Sequence, residues 1–166
     1  MKNREKSIEL LNAAIADELA AIHQYMYFHF HLDDQGYAPL ANLLKMTAIQ
    51  EMQHAEMIAE RILFLGGDVE MKVGGEVQKI HDAAEIIAMA MSLEEAAIEM
   101  YNRFALECSQ HADSGSKKLF EDLVAAEEVH WDQFDRQADN IKRFGERYLA
   151  LQSFDAGQGG PGEAPA

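Results

Sequence analysis

Between residues 38 and 65 the inward positions step by four and three through Leu40, Leu44, Thr47, Ile58, Ile62 and Leu65. That period holds one face of an α-helix towards a core. The stripe interrupts itself at EMQHAE, residues 51–56, where Glu51 and His54 occupy the two inward positions. Three other stretches behave alike. One passes through Ile8, Leu11, Ile15, Glu18, Ile22, Tyr25 and His29, and another through Ala84, Ile87, Met91, Glu94, Ile98, Tyr101, Ala105 and Cys108. The last passes through Phe120, Leu123, Glu127, His130, Phe134, Gln137, Ile141 and Phe144. Every stripe has a glutamate near its middle, and Glu51 and Glu127 are each followed three residues later by a histidine.

The spacing predicts helices over about 4–34, 38–65, 82–111 and 115–144. DDQG ends the first, Pro39 falls in the first turn of the second, and Gly66-Gly67 follows the second, as helix starts and stops require. HADSGS separates the third from the fourth, with Ser114 or Ser116 as cap candidates. Gly145 breaks the fourth, and GERYLALQ is short enough to be a fifth helix. Short turns make each helix pair an antiparallel hairpin, while the link over residues 66–81 is long enough to cross the length of a bundle. The expected fold is all-α, a four-helix bundle with one long crossover. Residues 1–152 form one domain, and the Gly, Pro and Ala-rich stretch 153–166 has the composition of a disordered tail.

The interruptions repeat. Glu18 to Glu51 is 33 residues and so is Glu94 to Glu127, and adding 76 to the first pair gives the second. ELAAIHQY (18–25) aligns with EEAAIEMY (94–101), and EMQH (51–54) with EEVH (127–130). Two copies of one helical hairpin related by a pseudo-twofold axis would bring the four carboxylates together. The levels agree: from Glu18 to the first turn is roughly 25 Å of helix, and from that turn back to Glu51 roughly 21 Å. Spacing of three places Glu51 with His54, and Glu127 with His130, on one face.

Burying four carboxylates without compensation is prohibitive, since even one unpaired buried charge costs several kcal/mol. Two divalent ions cancel four glutamates and suit a step between two M(II) and two M(III). Carboxylate and imidazole donors fit Fe, Mn or Zn, of which Fe and Mn offer redox chemistry with oxygen. Tyr25 and Tyr101, each seven residues after its glutamate, are expected in the core with hydroxyls on site carboxylates. His23, His29, His31, His81 and His111 fit no such pattern and read as surface or capping residues.

The whole chain has 166 residues, is 48% hydrophobic and carries a net charge of −15. The charge argues against a nucleic-acid partner and favours cations. No apolar run approaches the ~20 residues of a membrane span. MKNREKSIELLNAA lacks a signal-peptide core, and the single Cys108 cannot pair within the chain, so cytoplasm is the expected location.

With these motifs the sequence resembles the bacterioferritins over most of its length. The resemblance implies a ferritin-like bundle and a dinuclear ferroxidase site of two Fe per subunit on Glu18, Glu51, His54, Glu94, Glu127 and His130, with Glu51 and Glu127 bridging. It implies that Met52, roughly 100° around the helix from Glu51, is the ligand of a b-type haem shared by two subunits. It implies iron storage in a hollow shell of 24 subunits built from dimers, with GERYLALQ lining the fourfold axes. Fe(II), O2 or H2O2, and a ferredoxin-like reductant for iron release would be its partners. Met46 and Gln50 stand where some members have a His and an Asp forming an inner-surface iron site, and Gln133 replaces an aromatic of some relatives. These departures touch the route from site to cavity and leave the six ligands intact. Two rivals remain: a di-iron or di-manganese oxidoreductase that stores nothing, and a stress-protection mini-ferritin, whose site typically lies between subunits rather than within one chain.

Overall fold

The computed structural model describes residues 4–154. Five helices follow one another: α1 (Arg4–Asp34), α2 (Ala38–Leu65), α3 (Ala83–Gln110), α4 (Ser114–Phe144) and α5 (Glu146–Phe154). The described residues contain no strand, and α1 packs chiefly on α2 and α3 on α4. The two hairpins meet mainly through α1 with α3 and α2 with α4. Among the described residues no helix is long and apolar enough to cross a membrane.

The helix ends follow local chemistry. Gly66 closes α2 in the left-handed conformation, φ 81°, with its N–H on the carbonyls of Ile62 and Leu63, a geometry a β-carbon would oppose. Asp82 caps α3 by accepting from the N–H groups of Ala84 and Glu85, so the helix proper starts one residue later than its stripe predicts. The cap of α4 is Asp113, neither Ser114 nor Ser116. Asp113 accepts from Ser116 N at 3.1 Å and from Arg61 Nη2 of α2 at 2.6 Å. A carboxylate can take both bonds, which a serine hydroxyl in its place could not do with the same charge. Gly145 separates α4 from α5. Helix α5 includes Ser153 and Phe154, and the rest of the expected tail lies outside the described residues.

The link between α2 and α3 runs alongside α1 and is fastened to it at three levels and to the turn after it at a fourth. Asn12 Nδ2 donates to Asp68 O, Gly74 N donates to Ala16 O at 2.8 Å, Gln24 exchanges two bonds with Gln78, and Gln35 Nε2 donates to His81 O. At Gly74 a β-carbon would sit 2.7 Å from Ala16 O. Only glycine allows the crossover to lie this close to the helix.

Two apolar clusters fill the bundle. One joins Leu11, Ile15, Ile58, Ile62, Tyr101 and Phe120, and the other joins Tyr25, Phe28, Leu40, Leu44, Ile87 and Phe134. The α2 stripe is buried at every position from Leu40 to Leu65. Elsewhere the inward face shifts by one: Phe28 and Leu32 take the place expected for His29, Ala83 and Ala90 those of Ala84 and Met91, and Phe144 is exposed. A stripe drawn in strict steps of three and four drifts against the 3.6-residue turn, so slips of one residue are expected along it. The four glutamates are buried all the same.

Candidate metal centre

Between the two apolar clusters lies a layer of six charged or polar side chains. Glu18 comes from α1, Glu51 and His54 from α2, Glu94 from α3, and Glu127 and His130 from α4; none is more than 6% exposed. Single charges are almost never this buried without partners. Here the partners are each other.

The distances divide the layer into two overlapping halves. His54 Nδ1 lies 2.7 Å from Glu51 Oε2, 3.1 Å from Glu127 Oε1 and 3.6 Å from Glu18 Oε1. His130 Nδ1 lies 2.9 Å from Glu127 Oε2, 3.2 Å from Glu51 Oε1 and 3.8 Å from Glu94 Oε2. Glu51 and Glu127 therefore present one oxygen to each half, whereas Glu18 serves only the His54 half and Glu94 only the His130 half. The ligand atoms of Glu18, Glu51, His54 and Glu127 converge within 4.8 Å, as do those of Glu51, Glu94, Glu127 and His130. The imidazole rings stack at 5.7 Å.

Two tyrosines brace the outer carboxylates across the pseudo-twofold. Tyr101 OH donates to Glu18 Oε1 at 2.5 Å, and Tyr25 OH donates to Glu94 Oε1. Each copy of the repeat thus holds the other copy's glutamate. The phenols are fully buried, and burial together with the neighbouring carboxylates raises their pKa well above the usual range, so they donate rather than ionise.

The titration of the layer follows from burial against pairing. Burial would push His54 and His130 down, but their carboxylate partners outweigh it and hold both near 12. Burial raises Glu94 to about 8 against the pull of His130. Glu18 is likewise held well above the carboxylate range by burial, with the charges of Glu51 and Glu127 adding to it. For Glu127 burial loses: the bond from His130 and the imidazole of His54 beside it bring it down to about 2. Without metal the layer thus favours protonated imidazoles beside Glu127 and the protonated form of the outer glutamates.

The donor set fits a pair of divalent ions. Glu51 Oε2 and His54 Nδ1 are within 2.7 Å yet neither has a hydrogen bond of acceptable geometry. Both aim into shared space, as two ligands of one ion do.

A cavity of about 220 Å³ opens onto the four glutamates and is walled on its other side by Asp17, Gln24, Gly74 and Gln78. Burial, then the charges of Glu127 and Glu51, raise Asp17 to about 6. The helical periodicity passes over Asp17, which lies one residue off the stripe, and over the link, which has no period to read.

The remaining expectations fall outside this layer. Met52 is 52% exposed on another face of α2. Met46 and Gln50 are also exposed on α2. His23 is exposed; His29 Nδ1 meets Ala41 O at 2.9 Å; His111 ends α3; and His31 and His81 stack at 4.2 Å beside Tyr27. None of these five histidines joins the layer.

Residues 8–144 match the family model of the ferritin-like domain. The chain is 41% identical over 152 residues to the bacterioferritin of Desulfovibrio desulfuricans, which covers 89% of this chain and 85% of that one. It is 36% identical over 152 residues to the bacterioferritin of Rhodobacter capsulatus, with 91% and 94% covered. The X-ray structure of the Desulfovibrio desulfuricans protein, with its diiron site in different catalytic states, is similar at a TM-score of 0.88 and 38% identity, covering 97% of this chain and 96% of that one.

Proposed function

Because this chain belongs to the bacterioferritins within the ferritin-like family, we propose that its buried layer is a ferroxidase centre serving iron storage. Two Fe(II) bind as substrate, one between Glu18 and His54 and one between Glu94 and His130, with Glu51 and Glu127 bridging. The observation that carries this reading is that each bridging carboxylate offers one oxygen to each half. One electron leaves each ion: two electrons and two protons convert O2 to H2O2, or H2O2 to two waters. The protons come from water, which also takes up those that metal loading displaces from the imidazoles and outer glutamates. Tyr25 and Tyr101 keep Glu94 and Glu18 in place throughout.

The Fe(III) formed passes to mineral inside a hollow shell, which we assign 24 subunits built from dimers. Met52 fits a haem role in that its thioether is exposed and outside the ion layer. Paired with the same residue of a second subunit, it would hold a b-type haem supplying a one-electron path. A ferredoxin-like reductant would use that path to release iron, and the cytoplasm is the compartment this chemistry suits.

Replacing Glu94 by Ala strips one ion position of its private carboxylate. Rapid Fe(II) oxidation, followed by stopped-flow absorbance, should fall to nearly the rate of iron in buffer while the assembly keeps its mass. Fast oxidation unchanged in that variant would overturn the site assignment.

A further inference from the structure

His130 has two ring nitrogens and the structure gives each a separate task. Nδ1 faces the carboxylates, and Nε2 lies 3.0 Å from Gln50 Oε1. A neutral imidazole carries one N–H, and the nitrogen that binds an ion must be the bare one. An amide oxygen can only accept. Gln50 therefore selects the tautomer with hydrogen on Nε2, leaving the Nδ1 lone pair directed at the Glu94 half of the layer.

The repeat makes this support one-sided. Adding 76 to Gln50 gives Ala126, as adding 76 to His54 gives His130. The position equivalent to Gln50 in the second copy is thus an alanine, and a methyl group accepts nothing. Correspondingly, among the described residues His54 Nε2 makes no hydrogen bond, while His130 Nε2 makes the one to Gln50. The two halves have the same four ligand types and unequal backing.

We propose that Gln50 is a positioning residue that orients His130 and makes the Glu94–His130 half the tighter of the two ion positions. The proposal rests on the ferroxidase reading of the layer and adds an order to its filling. Because the amide is neutral, it orients the ring without disturbing the charge balance between four glutamates and two divalent ions. Losing such an outer partner typically costs 10–100-fold in metal affinity.

The test uses the full-length metal-free assembly titrated with Co(II), read by calorimetry and by the visible ligand-field bands. Wild type should take two Co(II) per chain in two resolved steps. Gln50→Leu leaves an aliphatic side chain on an exposed position and removes the acceptor; it should weaken the tighter step by about 10–100-fold and shift its bands, leaving the other step alone. Gln50→Glu, which accepts the same bond, should restore both. Glu18→Ala, which strips the His54 half, should leave only the step that Gln50→Leu weakens. If Gln50→Leu leaves both steps unchanged, weakens both alike, or is not rescued by Gln50→Glu, the positioning role is wrong. Fewer than two Co(II) bound by wild type would instead strike at the ferroxidase reading itself.

Discussion

Glu94 and Glu18 are carboxylates whose protonated form the bundle favours. Burial drives both up, and at about 8 Glu94 still holds its proton at neutral pH. With the imidazoles near 12, as many as four protons occupy the space that two divalent ions neutralise with the same total charge. Metal loading near pH 7 should therefore release up to about four protons per centre, measurable by titrating the apo-protein with Zn(II) in buffers of different ionisation enthalpy. The pH dependence of the metal-free fold has a definite sign. All four groups bind protons more tightly folded than unfolded, so their contribution is complete at low pH. It declines as pH rises from the unfolded carboxylate range through about 8 and on towards 12. Glu127 acts oppositely, losing its contribution as pH falls towards about 2. The apo-protein should melt at a lower temperature at pH 9 than at pH 6, and bound metal should narrow that gap; an apo-protein more stable at pH 9 would refute the protonation pattern.

At the scale of elements, each repeat hairpin supplies three ligands and one bracing tyrosine, and neither half is closed without the other. The crossover completes the wall. Gln24, only 4% exposed, donates to Gln78 O and accepts from Gln78 N, which fixes the link against the cavity beside the glutamates. Gln24→Ala removes both bonds, each worth about 0.5–1.5 kcal/mol. Amide exchange over residues 74–80 should accelerate by at least tenfold while the middles of α1 to α4 keep their protection. Equal acceleration across the bundle would mean that Gln24 supports the fold as a whole. The hairpins, their turns and the ligand-bearing positions were legible from periodicity and from the offset of 76. The Asp113 cap was not, because Arg61 recruits that residue from a different hairpin, and sequence spacing carries no trace of a contact between α2 and the start of α4.

For the whole molecule, the single chain leaves large apolar side chains in the open, among them Phe30, Leu63, Phe64, Leu106 and Leu151. Exposed apolar surface of this kind marks association, in keeping with a shell, and the charge of −15 suits a container for cations. Light scattering of the purified protein should give a shell-sized particle with a Soret band. Met52→Leu should keep the size and lose the band. A stable dimer would instead favour an oxidoreductase that stores nothing, and a shell with no Soret band in wild type would remove the haem role of Met52 without touching the ion layer.

The sequence by itself determined which residues face inward, because the 3.6-residue turn converts spacing into direction, and the repeat determined that four glutamates and two histidines meet. Periodicity could not decide how the oxygens are shared, and only the family resemblance pointed to Glu51 and Glu127 as bridges. Glu51 and Glu127 each divide their two oxygens between the halves, Tyr25 and Tyr101 cross over to the opposite copy's glutamate, and Gln50 backs one histidine while Ala126 leaves the other unbacked. Those choices depend on ångström-scale distances between different helices, which are set by how the two hairpins pack around the axis and have no period along the chain.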